Sequence, residues 1–92
     1  MEKINFKVEV NPFLREVIIK STINDVEYTL EMYYDDADEW NAFMLCGKHF
    51  DIHFYYDEEF TVSIYQIEDN TARYTNLCEV ELTIKLNDKQ SN

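Results

Sequence analysis

Two stretches of this chain carry residues that could do chemistry. Tyr33 to Trp40 reads YYDDADEW, four carboxylates set among three large aromatics. A little further on, His49, Asp51 and His53 form an H-x-D-x-H run. Acids at alternate positions suggest a calcium loop, whose EF-hand form needs acids at positions 1, 3 and 5, Gly at 6 and Glu at 12. Counted from Asp36, Asp38 falls at the third position, but Trp40 takes the fifth and Asn41 the sixth. The pattern fails there. Paired carboxylates also serve acid–base catalysis when burial or a neighbour raises one pKa. These acids crowd a solvated turn with no nucleophile, oxyanion donor or substrate-gripping base beside them. No catalytic residue is assigned, no cofactor is implied, and the chain is read as a non-enzyme.

The H-x-D-x-H run would lie on one face of a strand. Residues two apart on a strand are about 6.6 Å apart, so one His and Asp51 could share a metal. The two histidines would be roughly 13 Å apart and would need help from another strand. A polar, solvent-facing strand explains the run more simply. A metal-dependent protein using His49, Asp51 and His53 is kept as an alternative, and no metal ligand is assigned.

Charge discriminates further. The net charge is −11, carried by 19 acids against 8 bases in 92 residues. Residues 21–72 hold 13 of the acids and one base, Lys48, giving −12, while the remaining 40 residues sum to +1. Crowding of one sign costs stability, and solubility alone rarely needs it with so little interspersed Lys or Arg. Such a field repels nucleic acid and anionic membranes and steers cationic partners. Direct nucleic-acid binding and membrane association are therefore not expected.

The elements that position these residues show a period of two. Ile4, Phe6, Val8 and Val10 alternate with polar residues until Asn11-Pro12 stops the strand. REVIIKSTI and VEYTLEMYY flank Asn24-Asp25, a tight hairpin in which Ile23 faces Val26, Ile19 faces Leu30 and Val17 faces Met32. Gly47-Lys48 suits a second hairpin, with Leu45 opposite Phe50 and Phe43 opposite Ile52. A three-residue turn at 57–59 matches Phe54 with Val62 and Ile52 with Ile64. EDNTARYTN reads as a loop or helical turn, and LCEVELTIKL as a last strand through Cys78, Val80, Leu82, Ile84 and Leu86. A short helical turn over 36–44 is the alternative to a strand there.

The expected fold is all-β or mostly-β, with α+β as the variant: about six antiparallel strands in a meander or small open barrel. Residues 1–88 make one domain and 89–92 a polar tail. One Gly and one Pro rule out a Gly-rich phosphate loop. No apolar run reaches the ~20 residues of a membrane span, and the N-terminus does not read as a signal peptide. Cys46 and Cys78 form no CxxC and are expected as free thiols in a cytoplasmic protein.

With the inward faces so assigned, Tyr33, Tyr55, Tyr65 and Trp40 point outward, and Tyr and Trp are enriched in binding hot spots. The candidate partner-binding set is Glu27, Glu31, Tyr33, Asp35, Asp36, Asp38, Glu39, Trp40, Asp57, Glu58 and Glu59. Acids stepping along a strand and clustering at its end resemble, in physical type, the small acidic inhibitors of phages and mobile elements that block restriction, CRISPR and other DNA-handling proteins. Such a nucleic-acid mimic would occupy a basic protein surface built to follow phosphates. An immunity protein or antitoxin neutralising a basic toxin is the alternative with the same physics. A free edge strand, residues 4–10 or 77–86, would allow a homodimer.

Overall fold

The computed structural model describes residues 4–67 and 74–85, and all of its regular structure is β. Eight strands follow one another: β1 Asn5–Asn11, β2 Glu16–Ile23, β3 Val26–Tyr33, β4 Asp38–Leu45, β5 Lys48–Tyr56, β6 Phe60–Ile67, β7 Tyr74–Leu77 and β8 Glu79–Ile84. They form two four-stranded sheets, ordered β3-β2-β1-β8 and β4-β5-β6-β7. Each sheet has one apolar face, and the two faces bury each other as a sandwich. Phe6, Val8, Val10, Val17 and Ile19 from the first sheet meet Phe50, Ile52, Phe54, Phe60 and Ile64 from the second. Edge-to-face contacts at 5.4 Å (Phe6–Phe50) and 5.9 Å (Phe6–Phe43) lock the sheets together.

The mostly-β expectation holds, with corrections. Among the described residues there are eight strands rather than about six, and they make two sheets rather than a meander or a barrel. Residues 38–45 are strand and not a helical turn. In that state Asn41 and Phe43 face Ile52 and Phe50, a match that a helix over 36–44 would lose.

The β2–β3 register is the expected one, and Asn24 and Asp25 both take the left-handed backbone. The β5–β6 register is also as expected. The β4–β5 hairpin is shifted by two residues: Phe43 faces Phe50 and Leu45 faces Lys48. Its loop is Cys46-Gly47, with φ of 50° and 74°. Two positive φ values give the turn whose twist suits a hairpin.

β8 runs parallel to β1, pairing Phe6 with Val80 and Val10 with Ile84. The chain passes from β7 in one sheet to β8 in the other through buried Cys78, whose N–H donates to the Ile64 carbonyl at 2.8 Å. Residues 4–10 thus lie inside a sheet, between β2 and β8, and offer no free edge. Residues 77–86 do include an edge strand, β8. The loop expected over 68–76 falls outside the described residues except for 74–76, which begin β7. Leu86 and the polar tail also lie outside them. Among the described residues no helix is long and apolar enough to cross a membrane.

Candidate interaction surface

Because β1, β3, β5 and β8 run one way and β2, β4 and β6 the other, one end of the sandwich collects the 12–15 turn, the 34–37 crossing, the 57–59 turn and the end of β8. Each piece is fixed locally. Buried Asn11 accepts the Phe13 and Leu14 N–H groups on Oδ1 at 3.1 and 3.3 Å, an Asx turn that throws both side chains outward. Phe13 and Leu14 are 54% and 52% exposed.

Glu39 holds the crossing. Its Oε1 accepts the N–H groups of Asp35 and Asp36 at 2.9 and 3.2 Å, and its Oε2 accepts Asn41 Nδ2 at 2.7 Å. These donors, led by the Asp35 N–H, hold the carboxyl below the usual glutamate range. Arg15 Nη1 donates to the Asp35 carbonyl at 3.0 Å, and the Tyr56 N–H donates to the Ala37 carbonyl at 2.7 Å. That second bond joins the two acidic segments, 35–39 and 57–59, although they lie about twenty residues apart in the chain.

Between them opens a cavity of about 510 Å³, lined by Pro12, Tyr34, Ala37, Tyr56, Phe60 and Ile84 together with the exposed Asp35, Asp36, Glu58 and Glu59. Tyr34 and Tyr56 each pack against Phe60, at centroid distances of 5.3 and 6.3 Å. Burial pushes the Tyr34 phenol above its ordinary pKa; Arg15 opposes this and Tyr56 adds to it.

The candidate residues thus divide among three places. Asp35, Asp36, Glu39, Asp57, Glu58 and Glu59 gather at the end, with Asp38 and Glu16 at the strand starts beside them. Among the described residues this end carries two bases, Arg15 and Lys85. Glu27, Glu31 and Tyr33 lie on the outer face of the first sheet, where Lys7 and Lys20 also sit and where Lys20 pairs with Glu9 at 3.7 Å. That face has mixed charge.

Trp40 lies on the opposite outer face. Its ring stacks on the His53 imidazole at 4.2 Å and 9°, and His53 Nε2 donates to Asp38 Oδ1 at 2.6 Å. Tyr33 and Trp40, seven residues apart, therefore face opposite sides of the molecule.

His49, Asp51 and His53 share one face of β5, as the alternation implies, and His53 bonds to Asp38 on the neighbouring strand. Among the described residues no group of three His, Cys, Asp or Glu side chains is placed to hold a metal. Cys46 and Cys78 are free thiols, the first exposed and hydrogen-bonded with the Tyr28 phenol, whose pKa this contact raises.

Comparison with known families, curated proteins and solved structures found nothing that matches this chain.

Phe13, Leu14, Tyr34, Tyr56 and Phe60 belong to this end and were not among the candidates. A signal existed for two of them. Phe13 and Leu14 follow Asn-Pro and stand outside any alternation, so large apolar residues there had to occupy a turn tip. Tyr34, Tyr56 and Phe60 continue the inward stripes, and nothing local says that those stripes run out into an open cavity.

Proposed function

We propose that this chain is a small cytoplasmic inhibitor that binds a basic surface of a partner protein, of the kind used to hold nucleic acid, and competes for it. The observation that carries the reading is the meeting of two acidic segments, 35–39 and 57–59, at one end of the sandwich. Two cations among the described residues stand near them, so the end presents a nearly unbroken negative potential. Exposed Phe13, Leu14 and Tyr56 lie at the same end and supply apolar area to desolvate, while the carboxylates supply attraction and orientation. Electrostatic attraction raises the rate of encounter more than the final affinity. Glu27 and Glu31, on a face of mixed charge, contribute less to this field than the end does.

The test is affinity capture from a lysate of the natural host at low and high salt. A nucleic-acid-handling protein held at low salt and released at high salt supports the reading. Captured proteins held equally at both would sink its electrostatic basis.

A further inference from the structure

We infer that the end cavity is a socket for one arginine side chain on a basic segment of the partner protein. This rests on the partner-binding reading above and sharpens it.

The apolar and the acidic residues lining the cavity make different demands. Tyr34, Tyr56 and Phe60 present aromatic surface, and Pro12 and Ile84 complete the apolar lining. The volume, about 510 Å³, is in the range of ligand sites. Four exposed acidic residues in the lining, Asp35, Asp36, Glu58 and Glu59, make entry by an anion unfavourable. A purely apolar occupant would leave those acids with nothing to pair and partly desolvate them. A lining that combines aromatic rings with exposed carboxylates suits a cation that stacks on rings and pairs with acids, and guanidinium is the side chain that does both. It is weakly hydrated, lies flat on an aromatic face and reaches a carboxylate through two parallel N–H bonds. Lysine offers a compact, strongly hydrated charge and fits an aromatic slot less well.

The site is also held in shape before anything binds. Glu39 clamps the backbone of Asp35 and Asp36, and the Tyr56 N–H to Ala37 carbonyl bond fixes one wall against the other. Arg15 donates to the Asp35 carbonyl and is not among the lining residues, although its charge reaches the Tyr34 phenol.

A capped peptide with a single arginine among glycines tests this, titrated into the isotopically labelled chain and followed through its amide NMR signals. Saturable shifts should centre on Tyr34, Ala37, Tyr56 and Phe60. The citrulline peptide, equal in shape and neutral, should bind at least about tenfold more weakly. A norleucine peptide should show no preference for these residues. Tyr56→Ala removes a ring that is 55% exposed, so the fold survives, and should weaken the arginine peptide about fivefold or more.

Equal binding of citrulline or norleucine, or shifts spread over Glu27, Glu31, Glu79 and Glu81 without the cavity residues, would overturn the socket. The same variant separates the two claims. A host protein captured equally by the wild-type and Tyr56→Ala chains would overturn the socket and leave the inhibitor reading standing. Arginine selectivity at the cavity with no salt-sensitive capture would do the reverse.

Discussion

Glu39 shows how one side chain sets a site. It sits second in β4, on the inward side, yet it turns its carboxylate to the crossing and takes three hydrogen bonds. Bonds to the ionised form lower its pKa, so its stabilisation is present in full above the unfolded-chain value of about 4.3 and is lost as pH falls through the lowered folded value. Glu39→Ala should cost about 1–2 kcal/mol at neutral pH. In denaturant titrations the difference from wild type should shrink below about pH 4. A gap that persists unchanged at acid pH would mean that the carboxylate charge is not what holds the crossing. Phe50 is the residue-scale counterpart in the core: fully buried, edge-on to Phe6 and stacked on Phe43 at 5.2 Å. Phe50→Ala should lose about 3–5 kcal/mol in the same measurement, a large part of the stability of a domain this size.

At the scale of elements, the two hairpins show what alternation can and cannot specify. Asn24-Asp25 and the flanking apolar residues agree on one register, and the hairpin takes it. In the β4–β5 hairpin a slip of two residues keeps every side chain on its face, so Phe43 can oppose Ile52 or Phe50 with apolar partners either way. The turn decides between them, and Cys46-Gly47 with two positive φ values wins over Gly47-Lys48. A Cβ at Gly47 meets nothing within 4 Å, so Gly47→Ala should cost only its backbone strain, about 1 kcal/mol by thermal unfolding. The sequence also made the strands at 4–10, 26–33 and 48–56 legible, because each alternates. It could not show that β8 lies parallel to β1, because that pairing joins segments more than seventy residues apart and leaves no local mark. The candidate site was legible to the same degree. Its acids stand out as charge, but their gathering at one end depends on strand directions that only the sandwich defines.

For the molecule as a whole, the sandwich measures 40 × 30 × 17 Å, and its charge is arranged unevenly over that shape. Tyr33 and Trp40 point to opposite faces, so no flat contact can use YYDDADEW from end to end. What the stretch does instead is carry the chain from one sheet to the other across the anionic end. Replacing Asp35, Asp36 and Asp38 with Lys changes the charge of that end by six units at exposed positions. The exposed Asp38–His53 bond it removes is worth little, so folding should be only slightly weakened and association with a basic partner strongly slowed. The most direct measurement is the association rate of the captured partner against ionic strength, for the wild-type chain and this triple variant. The wild-type rate should fall at least about tenfold between roughly 0.05 and 0.5 M salt, as the screening length contracts, and the variant should start slow and change little. A wild-type rate that does not respond to salt, or a variant that associates as fast, would contradict the account.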